Sequence, residues 1–189
     1  MTPEEVAEQH LIKRLLKKES SAWKEVYDKY SGNFTSIGCR YINGGDDLRD
    51  VLQNSFVKMF THIQTFDHRG KGALRAWMSR IVVNECLQFL RKGGKMLFQE
   101  DIEWEQISQE ETEPEVDSLS SEEIIQHVQS LPDGYRTVFN LYVFEEKSHV
   151  EIAEILGITE GTSASQFSRA KKLLATKIKN YQLSKTSVL

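Results

Sequence analysis

Residues 148–172 combine hydroxyl, amide and basic side chains with the pattern of two short helices. Ser148 and Glu151 have the spacing of a capping box, and Gly157 provides the permissive backbone that a tight turn needs. The second helix is predicted to bury Phe167, Ala170, Leu173, Leu174 and Ile178. Thr159 could cap this helix, whose polar side would then present Thr162, Ser163, Ser165, Gln166, Ser168, Arg169, Lys171 and Lys172.

The polar groups of this second helix are suited to DNA. Hydroxyls and amides can bond to base edges, whereas arginine and lysine contact phosphates. From Gly161 to the end of the chain there are six basic residues and no acidic residue. The segment therefore predicts a helix-turn-helix whose second helix enters the major groove. Taken alone, it leaves open an ordinary helical hairpin with a solvated basic face.

A second group of side chains, earlier in the chain, recurs at steps of three or four residues: Trp77, Arg80, Asn84, Gln88 and Arg91. On a helix over about residues 73–92 they would share one face, which we call the α4 stripe. An indole beside cationic and amide groups is suited to stacking on unpaired bases and contacting their phosphates. Core packing of the indole is the alternative. The basic, glycine-containing loop just upstream could accept a flipped base through Phe66, His68, Arg69 and Lys71.

The elements that must position these groups are all predicted to be helices, and no segment alternates convincingly as a strand. Before residue 93, three apolar stripes recur at helical spacing: Trp23, Val26, Tyr27, Tyr30, Phe34, Ile37 and Tyr41; Leu52, Phe56, Met59, Phe60 and Ile63; and Met78, Ile81, Val82, Cys86 and Leu90. Asp46 and Asp47 favour the start of the second of these helices. The sequence therefore predicts an all-α fold.

After residue 121, two more helices precede the helix-turn-helix. The first is expected over about Glu122–Ser130, and Asp133 is expected to cap the second. The second should bury Val138, Phe139, Leu141, Tyr142 and Phe144. These two helices and the helix-turn-helix would form a four-helix module.

The net charge of −4 is unevenly distributed along the 189 residues. Residues 93–121 contain nine acidic residues and one lysine, begin with Gly-Gly and include Pro114 and a serine cluster. This composition predicts an acidic linker between two small helical domains, residues 1–92 and 122–189. Five apolar residues suggest that part of the linker docks on a partner, although packing on the first domain is equally open: Leu97, Phe98, Ile102, Trp104 and Ile107.

Several classes of protein are disfavoured by the sequence. Motifs for metalloproteases, nucleotide-binding loops and activated nucleophiles are missing, and the histidines do not cluster at ligand spacing, so we expect no catalytic residue, cofactor or metal. Cys39 and Cys86 are expected to be buried free thiols in a reducing cytoplasm. The acidic N-terminus and the lack of a long apolar run predict a soluble, cytoplasmic protein without membrane insertion.

The two sets of DNA-binding candidates, in this order and at this separation, resemble the bacterial sigma factors of RNA polymerase, most closely the short extracytoplasmic-function (ECF) type. In the first domain the resemblance is carried by residues 47–57, by Phe66-Asp67 and by residues 75–84. In the second domain it is carried by residues 131–139 and 151–162, and by Ser165 and residues 168–171. The resemblance implies a factor that binds core RNA polymerase and recognises and opens promoter DNA.

The resemblance also implies roles for individual positions. Core polymerase would dock through its clamp helices on Asp47, Asp50, Gln53 and Asn54. The minus-ten promoter element would be read by Phe66, His68, Arg69, Lys71, Trp77, Arg80, Asn84, Gln88 and Arg91. The minus-thirty-five element would be read by Thr159, Thr162, Ser163, Ser165, Gln166, Arg169, Lys171 and Lys172. The linker would thread through polymerase, and an anti-sigma protein is a further expected partner.

Some positions depart from the family pattern. Arg49 stands where an acid is common, and Ser163, Ala164 and Gln166 leave fewer basic contacts for phosphates, which predicts modest affinity for the minus-thirty-five element. Two other functions remain open at this point. A stand-alone helix-turn-helix regulator leaves the α4 stripe unexplained. A sigma-like mimic that sequesters an anti-sigma protein would fit the missing basic residues at 164 and 166.

Overall fold

The computed structural model describes residues 2–93 and 119–186, and the regular structure within those two ranges is entirely helical. The predicted all-α fold is confirmed. Contacts divide the chain into two compact units, Met1–Phe89 and Leu90–Leu189. Most of the predicted linker, with Leu97, Phe98, Ile102, Trp104, Ile107 and Pro114, lies outside the described residues.

The first unit is built from four α-helices and one short 3-10 helix: α1 (Pro3–Leu16), α2 (Ser20–Cys39), α3 (Gly45–His62), the 3-10 helix (Ile63–Thr65) and α4 (Ala73–Lys92). The division between the units falls within α4, three residues before its end. Thr2 caps α1 in a capping box with Glu5, and Asp46 and Asp47 occupy the first turn of α3 as predicted. The predicted bounds of α4 are also confirmed.

The core of the first unit contains the central members of the predicted apolar stripes: Val26, Tyr30, Phe34, Ile37, Tyr41, Met59, Ile63, Met78, Val82, Cys86 and Leu90. The prediction is wrong for Tyr27, which is 57% exposed, and for Phe60, which is 40% exposed. Both line an open groove between α2 and α3, where no further helix of this unit covers them. Cys86 is buried and Cys39 half-buried, and neither forms a disulfide.

Residues 119–186 of the second unit form four helices: α5 (Ser121–Gln129), α6 (Asp133–Val143), α7 (His149–Leu156) and α8 (Glu160–Thr186). Val128 and Leu131, from the end of α5 and the turn after it, meet Tyr135 and Phe139 of α6 and Ala170 of α8 in a buried cluster. Phe167, Leu173 and Leu174 pack against this cluster. The predicted four-helix module is therefore confirmed.

Two details of α6 differ from the prediction. Pro132, not Asp133, occupies the N-cap, so Asp133 is the first helical residue and its carboxylate pairs with the buried Arg136. Arg136 also donates hydrogen bonds to the carbonyls of Gln129 and Leu131 (2.9 and 3.0 Å) and so ties α6 to the end of α5. The burial predicted for Tyr142 and Phe144 is also wrong: each is 39% exposed, because they lie at the C-terminal end of α6 with only part of each ring packed, on Phe167 and Phe139 respectively. Within the described ranges, the helices lack the combination of length and apolarity needed to span a membrane.

Candidate nucleic-acid interface

The helix-turn-helix begins at a complete capping box. Ser148 Oγ accepts a hydrogen bond from the Glu151 amide (3.2 Å), and the Glu151 carboxylate accepts one from the Ser148 amide (2.9 Å). A side-chain hydrogen bond from Lys147, together with those from Ser148, lowers the pKa of Glu151 to about 2. The start of α7 is therefore fixed where the sequence predicted it.

The turn between α7 and α8 also follows the prediction. Gly157 adopts the left-handed conformation (φ 70°), and its amide donates to the carbonyl of Ala153 (2.8 Å). Such a backbone strains residues with a side chain, which explains the glycine. Thr159 Oγ1 accepts a hydrogen bond from the Thr162 amide (3.0 Å) and so caps α8. These two contacts set the direction in which α8 leaves the turn.

Two residues of α8 that were predicted to contact DNA face the interior of the protein instead, so the prediction is wrong for both. Ser163 is fully buried and Gln166 is 2% exposed. Ser163 Oγ lies 3.0 Å from Nδ1 of His149, the first residue of α7. Ser163, Gln166 and the buried Ala170 follow one another at steps of three and four, so they share the inner face of α8. That spacing to a predicted core alanine was the signal that could have excluded both residues.

The outer face of α8 retains the remaining candidates. Thr159, Ser165, Lys171 and Lys172 are exposed, while Thr162 and Arg169 are half-buried. The hydroxyls of Thr159 and Thr162 lie 2.8 Å apart, and Ser165 Oγ donates to the Thr162 carbonyl (3.0 Å). Hydroxyls therefore occupy the start of the helix and cations its middle, which is the order that a recognition helix needs if its N-terminal end approaches the bases.

A cluster of aromatic rings, which the sequence did not indicate, packs the two helices of this motif against α6. The rings of Tyr142 and His149 stack with centroids 4.7 Å apart, and the ring of Phe167 lies 4.3 Å from that of Tyr142. These residues come from α6, α7 and α8. Tyr142 is exposed in part, but its ring contacts with His149 and Phe167 hold α7 against α8.

In the first unit, the α4 stripe lies on the surface. Arg80, Asn84 and Gln88 are exposed, and Trp77 is half-buried. Arg91 is exposed as well, although it follows the division between the units. Gln88 Oε1 accepts a hydrogen bond from Lys58 of α3 (3.3 Å), and Lys58 also pairs with the nearly buried Glu85. The indole and the three polar side chains of Arg80, Asn84 and Gln88 therefore line about three helical turns of the surface of the first unit.

The loop before α4 is joined to the stripe through aromatic rings. The ring of Phe66 lies 5.4 Å from the indole of Trp77 and 6.4 Å from the ring of His68. The core-packing alternative for Trp77 is thus only partly right, because the indole packs on a loop residue and remains partly exposed. His68, Arg69 and Lys71 are exposed, and Arg69 pairs with Asp67 at 2.9 Å.

Two glutamates of α1 contact this loop, and sequence reasoning missed both. Lys71 Nζ pairs with Glu4 at 2.5 Å, which lowers the pKa of Glu4 and raises the pKa of Lys71. The Glu8 carboxylate accepts hydrogen bonds from the backbone amides of Gly72 (2.8 Å) and Leu74 (3.1 Å). No local sequence signal indicates these contacts, because the partners are more than 60 residues apart.

The predicted polymerase-docking residues lie on α3. Asp50, Gln53 and Asn54 are exposed, and Asp47 is half-buried. Arg49, the departure from the family pattern, pairs with Asp46 at 3.0 Å, so part of its charge is compensated locally. Gln53 also borders the groove between α2 and α3, whose apolar lining comes from Trp23, Tyr27, Leu52, Phe56, Val57 and Phe60.

Comparison with known proteins gives matches in both units. The family model "Sigma-70 region 2" matches residues 26–96, and "Sigma-70, region 4" matches residues 121–174, together about two thirds of the chain. The ECF RNA polymerase sigma-E factor of Haemophilus influenzae is 29% identical over 93% of this chain and 97% of its own length. The Escherichia coli K12 protein of the same name is 26% identical over 93% of this chain and 96% of its own. A solved structure of CnrH in complex with the cytosolic domain of CnrY covers 90% of this chain and 96% of that chain, with 18% identity and a TM-score of 0.49.

The chain belongs to the sigma-70 family of transcription factors, as an extracytoplasmic-function member. It is an alternative sigma factor that directs promoter-specific transcription by RNA polymerase. The match to region 2 accounts for the first unit, which the alternative of a stand-alone helix-turn-helix regulator leaves unexplained.

Proposed function

We propose that this sigma factor holds its promoter at two separate points, one in each unit. In the first unit, the α4 stripe and the loop from Phe66 to Gly72 would capture unpaired bases of the minus-ten element. In the second, the outer face of α8 would read the minus-thirty-five element as duplex DNA. The observation that carries the proposal is the exposed row of Arg80, Asn84 and Gln88 beside the paired rings of Phe66 and Trp77.

The minus-ten assignment rests on the chemistry of that row. A base that leaves the duplex loses its stacking partner, and an exposed aromatic ring replaces that partner. Amides such as those of Asn84 and Gln88 offer both donors and acceptors to base edges. The cations Arg69, Lys71, Arg80 and Arg91 would contact the phosphates of the same strand.

The minus-thirty-five assignment is narrower than the sequence predicted. Thr159, Thr162, Ser165, Arg169, Lys171 and Lys172 are retained, whereas the buried Ser163 and Gln166 are removed. The burial of Gln166 also weakens the alternative of a sigma-like mimic. A basic residue at that inward-facing position would not reach phosphate, so its absence says nothing against DNA binding.

For the polymerase, we propose a docking surface on α3 formed by Asp47, Asp50, Gln53 and Asn54, extended by the apolar groove beside Gln53. Val57 is 56% exposed and lies at the edge of this groove. Apolar side chains on a surface are commonly buried by a partner protein. The acidic residues 93–121 would thread through polymerase between the domains of residues 1–92 and 122–189.

We also propose an anti-sigma protein as a regulator, acting in the cytoplasm, where polymerase and promoter are found. The apolar groove between α2 and α3 is the surface for which such a protein would compete with polymerase. We expect it to inhibit transcription by the wild-type factor and to inhibit less well when Tyr27→Ser makes the groove more polar. Equal inhibition of both would place the anti-sigma contact elsewhere.

Run-off transcription tests the two-point proposal. Core polymerase with the full-length factor is incubated with a genomic promoter library, and the start sites are sequenced. We expect a small set of promoters that share two conserved elements at fixed spacing. Transcripts that share only one element would contradict the proposal, and promoter-independent initiation would contradict it as well.

A further inference from the structure

We propose that Glu8 of α1 is a positioning residue for minus-ten recognition, acting through the junction between the loop and α4. The proposal rests on the proposed function, because it assumes that the loop and the α4 stripe bind DNA together. Residue 8 precedes the match to region 2, which begins at residue 26. The role would therefore belong to a helix outside the matched region.

The geometry at the junction is that of a helix cap supplied from another helix. The first amides of a helix lack partners within it, and a nearby Ser, Thr, Asp or Asn side chain normally accepts from them. Residues 70–72 are Gly-Lys-Gly, so the chain before α4 contains no such side chain. Glu8 fills this role, because its two carboxylate oxygens accept from the amides of Gly72 and Leu74. Its negative charge is also favourable at a helix N-terminus.

This cap fixes a part of the backbone that would otherwise be permissive. Gly70 and Gly72 both have positive φ values (110° and 77°), which glycine adopts without strain. One turn later, Trp77 contacts Phe66 across the same junction. An anchor at Gly72 and Leu74 therefore sets how the loop lies against the α4 stripe, and with it the width of the space for a base between them.

The anchor belongs to a helix that is held independently of Glu8. Leu11, Ile12 and Leu15 of α1 are buried, and Gln64 Nε2 donates to the carbonyl of Leu16 (2.7 Å). Glu4, one turn before Glu8 on the same face, pairs with Lys71 of the loop. A substitution at position 8 should therefore release the amides of Gly72 and Leu74 and leave α1 in place.

Glu8→Gln and Glu8→Ala separate positioning from folding. Glutamine keeps the size but has one oxygen, and its amide group would face a second N–H donor, so one of the two hydrogen bonds is lost. Glu5→Gln is the matched control, because it removes the same charge from the same helix and glutamine still completes a capping box. All variants are full-length and assembled with core polymerase.

The measurement is the ratio of two affinities of the holoenzyme. One is for a single-stranded oligonucleotide with the minus-ten element selected by run-off transcription, and the other is for the same strand with its most conserved base changed. A partly unfolded preparation lowers both affinities equally, so the ratio reports positioning alone. We expect the ratio to fall by about tenfold in Glu8→Ala, the size of one charge-assisted hydrogen bond, and less in Glu8→Gln.

Each outcome of this measurement is decisive. A lower ratio in both Glu8 variants, with Glu5→Gln at the wild-type value, supports the proposal. An unchanged ratio in Glu8→Gln and Glu8→Ala overturns the role of Glu8 and leaves minus-ten recognition by the stripe intact. A wild-type factor that does not discriminate between the two strands overturns the proposed function itself, and the role of Glu8 with it.

Discussion

Ser163 Oγ lies 3.0 Å from His149 Nδ1, so a residue in the first turns of the recognition helix faces the preceding helix. Ser163 is buried, and the His149 ring also contacts the rings of Tyr142 and Phe167. Ser165, two positions later, is exposed. Within one helix, Ser163 therefore contributes to the packing of the fold, whereas Ser165 faces solvent on the side that we propose for DNA recognition.

Ser163→Ala should destabilise the protein without changing its promoter preference. Removing the hydroxyl leaves a half-buried imidazole nitrogen without this partner, which costs about 1 kcal/mol of unfolding free energy. Chemical denaturation followed by circular dichroism measures the loss. Ser165→Ala is the matched substitution, and we expect it to keep the stability and weaken binding to the minus-thirty-five duplex. A binding loss in Ser163→Ala and a stability loss in Ser165→Ala would show that the inner and outer faces of α8 are the reverse of those described here.

Arg169→Ala should weaken duplex binding and lower its salt dependence. Each phosphate contact releases counterions, so losing one contact reduces the slope of log affinity against log salt by about 1. Binding of a minus-thirty-five duplex at several salt concentrations gives the slope. Lys24→Ala, an exposed cation on α2, controls for net charge. An unchanged slope would remove Arg169 from the phosphate contacts.

Glu151→Gln should make the stability of the protein less dependent on pH in the acid range. The Lys147 side chain and the capping box lower the pKa of Glu151 from 4.5 to about 2, so its carboxylate stabilises the folded state above pH 4.5. That contribution is lost as the pH falls from about 4.5 to about 2, since the unfolded state takes up the proton first. Thermal melts at steps between pH 5 and pH 2.5 measure the dependence.

Glu154→Gln, an exposed position on the same helix, controls for the loss of one carboxylate in the Glu151 experiment. If the stability of the wild-type protein depended on pH no more than that of Glu151→Gln, the capping box would not persist in solution. Glu123 of α5 adds to the wild-type slope, because hydrogen bonds from Lys185 and Tyr181 also lower its pKa to about 2. The Glu151→Gln curve should therefore be shallower than the wild-type curve but not flat.

Val57→Asp should weaken binding to core polymerase by tenfold or more, on the order of the cost of burying an unpaired charge in an interface. Val57 and Gln53 both line the apolar groove, and Gln53 and Asn54, one turn before Val57 on α3, belong to the docking surface that we propose. Val6→Asp is the matched control, because Val6 is 49% exposed on α1 and is not among the residues lining the groove. Titration of labelled factor with core polymerase gives both affinities. Equal losses would point to a general effect of the added charge.

Local sequence patterns predicted the helices of this protein well. The capping box at Ser148 and the left-handed turn at Gly157 depend only on neighbouring residues, and both are found where they were expected. Burial at the edge of a stripe was less predictable. Tyr27 and Phe60 have the spacing of core residues, but whether another helix covers them is decided by tertiary packing, and here a groove remains open.

The candidate site shows the same limit. Residue types and helical spacing identified the α4 stripe, because its members lie within one helix. The helical spacing of Ser163 and Gln166 to Ala170 places both on the inner face of α8, but their polar side chains led to the prediction that they contact DNA. The Glu8 cap could not be predicted, since it joins α1 to the start of α4 across more than 60 residues and has no local signal.

Promoter selection with two variants shows whether the factor reads its promoter at two separate points. Holoenzymes containing wild-type factor, Asn84→Ala or Ser165→Ala are used in run-off transcription on a library randomised at both elements. Asn33→Ala, an exposed asparagine on α2, is the control. We predict that Asn84→Ala loses sequence preference at the minus-ten element only and Ser165→Ala at the minus-thirty-five element only. Loss of preference at the same element in both variants, or at neither, would contradict the account.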